Sequence, residues 1–336
     1  MTFAEYILNF YNAEGLILEY SSSYYRIRIF GLPFTLLTFA IFGVFRGLQN
    51  TVIPMIIAIL GALLNVVLDF ALVYGIEGII LGMHVEGAAY ASLFSQLFMA
   101  ILAVVFLLIK TEIPLKIKLP LHHELPKLTV MIVNLIIRTI ALNVALYYGT
   151  SFSTAYGAKY SAAYTILLNI WFFGAFLIDG YSSAGNILSG KLYGEKNYSE
   201  LVKLSARLTK YGIIAGVLIL IIGGIFYYPI GKIFTKETAV LEEFYTVFAL
   251  ILAMQPLCAV TFIFDGMFKG LGKMATLRNV LLFATFGVFV PTIFILDALD
   301  LKLYAVWIAF TLWVIARGLP LIFVFRKEFI PKIRKS

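Results

Sequence analysis

GLPFTLLTFAIFGVFRGL, residues 31–48, and MQPLCAVTFIFDGMFKGL, residues 254–271, are one pattern written twice. Pro33 falls on Pro256, Phe45 on Phe268, Arg46 on Lys269, Gly47 on Gly270 and Leu48 on Leu271, at a constant offset of 223 without a gap. The register continues upstream, where Glu14, Leu18 and Glu19 fall on Glu237, Leu241 and Glu242. Matches between apolar residues arise cheaply in an apolar chain. Matched proline, glycine, glutamate and basic residues in one register do not, so the chain carries an internal repeat.

Both copies lie in a chain suited to a bilayer. Of its 336 residues, 62% are hydrophobic and 13% charged, with a mean hydropathy of +0.96. A soluble domain carries about 25% charged residues, so no single soluble core accounts for this balance. Nine apolar runs reach the length that a spanning helix needs: 29–45, 51–74, 87–109, 128–149, 160–180, 211–230, 244–265, 277–296 and 303–325. The first is the shortest and is expected to extend back towards Tyr24. Backbone in lipid must satisfy its own hydrogen bonds, which makes every span a helix. The fold class expected is an all-α polytopic membrane protein with about nine transmembrane helices. MTFAEYILNF has no basic n-region and no cleavage signature, so no signal peptide is expected.

The net charge is +8, and the basic residues cluster in short loops between apolar runs, a pattern of membrane topology rather than of nucleic-acid binding. The tail RKEFIPKIRKS and the segments on its side of the membrane hold 18 Lys and Arg, the other side holds six, and Arg138 and Arg317 lie within spans. That bias places the C-terminus in the cytoplasm and, with nine spans, Met1 outside.

The offset of 223 has a consequence: residues 128–223 have no partners in the first half. Two parallel halves of six spans each are a known transporter plan. On that plan the chain lacks its first three spans. Residues 1–110 are then the C-terminal half of the first lobe, with three transmembrane helices; 111–127 form a cytoplasmic linker; 128–325 form a second six-helix lobe; and 326–336 form a basic cytoplasmic tail.

RIRIFGLPFTLLTFAIFGVFRGLQNTVIP (26–54), LGALLNVVLDFALVYG (60–75) and VEGAAYASLFSQ (85–96) resemble the multidrug and toxic compound extrusion (MATE) family, most of all its DinF-like branch. NIWFFGAFLIDGYSSAGNILSGKLYGEKN (169–197) and QPLCAVTFIFDGMFKGLG (255–272) follow in the family's order. The resemblance implies a cation-coupled antiporter that exports organic, often cationic, compounds by alternating access between two six-helix lobes around a central cavity. Two departures stand out. The family's first three helices are absent, one of which normally carries a further proton-coupling Asp. The sodium-coupled branch tends to carry an acidic residue near Cys258, which favours protons over sodium here.

Asp69 lies inside the apolar run LLNVVLDFALVYG (63–75). A carboxylate at the centre of a spanning helix costs roughly 3 kcal/mol on insertion scales, and such residues commonly mark ion or proton paths. Asn65, one turn earlier, shares its face and is expected to donate to it. Burial favours the protonated acid and hydrogen bonds favour the charged one, so a carboxylate held between them can exchange its proton. The resemblance adds Ser92, the position of a hydroxyl in a buried proton-linked network of the first lobe. The plainer alternatives are that Asp69 lies near a helix end in interfacial water and that Ser92 is a small packing residue.

Arg138, Asp179, Gln255 and Asp265 are candidates for a second-lobe cavity. A buried arginine needs an acidic or carbonyl partner, and Asp179 is the nearest in sequence. Asp265 is four residues before Lys269 and can form an ion pair with it. Arg317 is expected to snorkel to the cytoplasmic interface. Pro33 and Pro256 are expected in mid-helix as hinges or cavity walls, since proline removes a backbone hydrogen bond. Cys258, the one cysteine, excludes an intrachain disulfide and reads as a small core residue. His122, His123 and Glu124 lack metal-ligand spacing. GKLYGEKN (190–197) has no P-loop pattern and reads as a tight turn. No Ser–His–Asp set is present, so neither an enzyme, a metal nor a cofactor is expected. The partners expected are a small organic substrate and membrane lipid, with the protein a monomer in the inner or plasma membrane. The rivals are a lipid-linked oligosaccharide flippase of the same superfamily, kept open by Arg138, and a truncated, non-transporting remnant.

Overall fold

The computed structural model describes residues 15–75, 81–112 and 124–333. All regular elements among them are helical. Eight helices are long and apolar enough to cross a membrane, or nine when a bent pair at the start counts as one span. The chain divides into two compact units, Met1–Leu119 and Pro120–Ser336.

The first unit contains α1 (Gly15–Ile29), α2 (Leu32–Gly47), α3 (Val52–Asp69) and α4 (His84–Lys110), with a π-helical turn, Phe70–Tyr74, continuing α3. α4 is its hub, packed against the other three. Its buried positions include Gly87, Ala89, Ala91, Ser95, Ala100 and Ala103. Small residues let helix backbones approach where lipid supplies no hydrophobic drive. α1 and α2 are the bent pair, meeting at 46° over Phe30 and Gly31. Pro33 is therefore not in mid-helix as expected. It lies in the first turn of α2, where its missing N–H has no intrahelical partner to lose.

The second unit contains α5 (Leu125–Ala155), α6 (Ala158–Gly194), α7 (Tyr198–Ile225), the short α8 (Tyr227–Phe234), α9 (Thr238–Gly270), α10 (Met274–Leu282), a π-helical stretch Phe283–Phe289, α11 (Val290–Asp297) and α12 (Leu303–Ile333). α9 is central, packed against α6, α7 and α12. Pro256 lies inside α9, and the helix runs through it unbroken. Gly216 of α7 closes on this point: a methyl group there would lie 2.7 Å from Pro256 Cα. Gly266 and Gly270 abut the α6 backbone at Ser182 and Asn186. Close packing on both sides holds a helix that proline alone would weaken by about 3 kcal/mol.

The helices overrun the apolar runs. α6 has 37 residues and α12 has 31, roughly 55 and 46 Å at 1.5 Å per residue, against a hydrocarbon core of about 30 Å. The turn expected over 190–197 shrinks to Glu195–Asn197, with Lys196 at φ 56° and Asn197 Oδ1 capping α7 by accepting from the Glu200 N–H at 3.1 Å. α7 thus begins at Tyr198 rather than 211, and the tail from Arg326 to Ile333 remains helical.

The repeat is legible in the backbone. α2 ends at Gly47 and α9 at Gly270; the span that follows ends at Tyr74 in the first unit and at Asp297 in the second; both steps are 223. Past the first pair of ends the hydrogen bonds coincide. Asn50 N donates to Phe45 O at 2.9 Å and Lys273 N to Phe268 O at 3.0 Å, while Leu48 N donates to Val44 O at 3.0 Å and Leu271 N to Met267 O at 2.9 Å. Gln49 (φ 61°) and Gly272 (φ 70°) occupy the same left-handed position, the one that closes a helix and favours glycine. Gly272→Ala is expected to cost about 1–2 kcal/mol, the penalty of this conformation for an L-residue, because the added methyl meets open space save for Met131 at 4.0 Å. Thermal unfolding in detergent measures it, and an unchanged midpoint contradicts it.

Candidate functional site

In the first unit Asp69 is half-buried. It is not at the centre of its span. It is the last residue of α3 before the π-helical turn and lies five residues from the span's end at Tyr74, roughly 8 Å along the helix. The expected bond from Asn65 is not formed. Asn65 Nδ2 is buried without a hydrogen-bond partner, and among the described residues no hydrogen bond joins Asn65, Asp69 or Ser92, which is half-buried on α4. Side chains at i and i+4 start about 5–6 Å apart at Cβ, a gap that these two short side chains close only with converging rotamers. The span continues through the π turn after Asp69 and meets α4 there. Met83 N donates to Leu72 O at 2.7 Å, and Gly87 of α4 lies against the same carbonyl. π turns are frequent at functional positions, and this one begins directly after Asp69, near the end of an apolar span.

In the second unit the partner of Arg138 is Asp265, not Asp179. Arg138 Nη2 donates to both Asp265 oxygens, at 2.8 and 2.6 Å. Lys269 Nζ lies 3.2 Å from the same carboxylate, the i,i+4 pair expected, and Arg317 Nη2 lies 3.7 Å away. Arg138, Asp265 and Arg317 are 9%, 7% and 4% exposed. Arg317 therefore does not snorkel; it stacks on Trp313, with its guanidinium carbon 4.6 Å from the ring centroid. α5, α9 and α12 are thus tied to one carboxylate that faces three cations. Two more polar ties join helices of this unit: Arg278 donates to Asn134 Oδ1 at 2.6 Å, and Lys273 pairs with Glu328.

The other second-unit candidates separate. Asp179 is exposed, with no polar partner among the described residues. Gln255, expected at a cavity, is 1% exposed within its unit, and its Nε2 donates to Ile251 O at 3.3 Å. Gly174 of α6 makes room for it, since a methyl group there would lie 2.5 Å from Gln255 Oε1. Cys258 is fully buried and accepts from Trp171 Nε1 at 3.3 Å. His122 and His123 lie outside the described residues; Glu124 pairs with Lys127 at 2.7 Å. The signal for the cluster was present in the sequence: two arginines stand inside spans, and charges at that depth need a common counter-ion.

Neither polar group is repeated. Adding or subtracting 223 sets Phe42 and Phe94 at the positions of Asp265 and Arg317, and Thr292, Val288 and Ile315 at those of Asp69, Asn65 and Ser92. The two units share a backbone plan and carry different chemistry on it.

The sequence model of the MatE family matches residues 1–71 and 135–295, well over half of the chain. The chain belongs to the MatE family. The DNA damage-inducible protein F of Escherichia coli (strain K12) is 25% identical over 333 residues, covering 96% of this chain and 69% of that protein. Protein DETOXIFICATION 42 of Arabidopsis thaliana is 23% identical over 246 residues, covering 73% of this chain and 46% of the plant protein, so the match spans about half of that relative. Among solved structures, the outward-facing conformation of a multidrug resistance MATE family transporter of the MOP superfamily superposes with a TM-score of 0.88 at 21% identity, over 99% of this chain and 74% of that one. A MOP superfamily transporter from Pyrococcus furiosus gives 0.89 at 20% identity, over 98% and 74%. The MatE-family chain is a multi-pass, all-α membrane protein.

Proposed function

We propose that this MatE-family chain acts as a secondary transporter that exports organic, often cationic, compounds in antiport with protons. The observation that carries the reading is Asp69, a half-buried carboxylate at the α-to-π junction of a spanning helix, one turn after Asn65, whose side-chain nitrogen is buried without a partner. Ionisable groups at membrane depth mark proton and ion paths. A proton arriving from outside neutralises Asp69, changes what that helix end must satisfy, and favours the state that releases the compound outward. Such a shift is limited to the proton's differential affinity for the two states.

The names of the relatives, detoxification and multidrug resistance, support the substrate class. Cys258, at the place where the sodium-coupled branch tends to carry an acid, supports protons over sodium. The excess of Lys and Arg on one side supports a cytoplasmic C-terminus in the inner or plasma membrane. The reading needs neither an enzyme activity nor a cofactor, and a monomer suffices. The flippase alternative calls for more cationic residues in the cavity, and Arg138, the residue that kept it open, is paired with Asp265. The test uses purified protein in liposomes with a lipophilic cationic dye. Dye movement is expected under an imposed pH gradient and not under a sodium gradient. Sodium-driven movement overturns proton coupling, and no movement under either gradient overturns export.

A further inference from the structure

A groove of about 380 Å³ opens on the surface of the second unit between α7, α9 and α12, within the range of about 300–1,000 Å³ that small-molecule sites occupy. Its apolar wall includes Phe264, Ile322 and Phe325, and its polar wall Ser205, Thr209 and Arg326. The two kinds of wall meet where the apolar runs stop. The run of α12 ends at Phe325, immediately before Arg326, and that of α7 starts at Tyr211, immediately after Thr209 and Lys210. The groove therefore straddles the boundary between hydrocarbon and headgroups on the side of the basic tail.

The one charge on its lining is uncompensated. Arg326 is exposed and has no carboxylate partner among the described residues. The acids in the neighbouring sequence are already engaged: Glu328 by Lys273 and Lys332, and Glu200 by Lys203 at 2.8 Å. An arginine without a counter-ion, two hydroxyls and an apolar wall in one groove match the parts of one molecule. We propose that this groove seats an anionic phospholipid of the adjoining leaflet, with its phosphate on Arg326 and Thr209 and an acyl chain along Phe264, Ile322 and Phe325. Basic pockets between spanning helices at a membrane face bind acidic headgroups in this way.

The experiment is native mass spectrometry of the full protein released from vesicles of equal phosphatidylglycerol and phosphatidylcholine, scoring retained lipid. Wild type is expected to retain phosphatidylglycerol preferentially. Arg326→Gln is expected to lower that retention about five-fold, the equivalent of one basic side chain near an acidic surface. Lys232→Gln, an exposed basic residue on α8, is expected to leave it unchanged. Ile322→Trp, which fills the groove without altering charge, is expected to lower retention on its own. Equal retention of both lipids, equal losses in the two charge variants, an unaffected Ile322→Trp, or displacement by soluble glycerol phosphate each overturns the proposal.

Discussion

Asp265→Asn is expected to destabilise the protein by about 3–5 kcal/mol, the cost of removing one member of a buried ion pair. The substitution keeps the shape of the side chain and removes the charge that Arg138, Lys269 and Arg317 share. Cations in two buried arginines would then face one another without a counter-ion, and an uncompensated charge at this depth is expensive. The geometry also predicts an asymmetry. Arg138→Gln leaves Asp265 with Lys269 at 3.2 Å and Arg317 at 3.7 Å, so it is expected to cost less than Asp265→Asn. The double variant is expected to recover part of the single loss, because it removes a cation together with the anion. Thermal unfolding of the four proteins in detergent measures the cycle. A cost for Arg138→Gln equal to or above that of Asp265→Asn sinks this account of the cluster, as does an Asp265→Asn midpoint matching wild type.

The helices and the repeat were legible because they depend on periodic and local signals. Apolar runs of spanning length mark the helices, and the proline, glycine and basic residues near Gly47 and Gly270 mark two copies of one helix end. The shared left-handed positions at Gln49 and Gly272 lie just past that motif. Helix ends at the membrane faces were less legible. Hydropathy reports where lipid stops, whereas α6 continues as helix beyond its apolar run to the turn at Glu195, and α12 continues through Arg326 to Ile333.

Partnerships across the fold were the least legible. Arg138 and Asp265 are 127 residues apart and meet because α5 and α9 lie in one unit, which no spacing rule encodes. Asp179 was the nearer acid and is exposed. The two prolines are matched in sequence and differ in role because their neighbours differ. Gly31 precedes Pro33 where the chain bends, whereas α7 packs Gly216 on Pro256. Gln255 shows the same dependence on neighbours: Gly174 admits it to the core, so a polar residue beside a proline is packed within its unit.

Asp69→Asn is expected to abolish transport driven by a pH gradient while leaving the protein as stable as wild type or more so. The stability half follows from the site. Asp69 is half-buried and has no ion-pair partner among the described residues, so asparagine removes a charge from an apolar span without stranding another. The transport half follows from the chemistry, because an amide cannot bind and release the coupling proton. A gradient of one pH unit is worth about 1.4 kcal/mol per proton, or tenfold in accumulation at one-for-one exchange. In liposomes the wild type is expected to approach that ratio for a cationic dye, and Asp69→Asn to remain at equilibrium. Asp69→Glu keeps a titratable group one methylene further out and is expected to retain part of the response. Persistence of a wild-type pH response in Asp69→Asn rules out Asp69 as the coupling group. A loss of transport accompanied by a lowered unfolding midpoint assigns Asp69 to packing instead, and the equal or higher midpoint expected here separates the two outcomes.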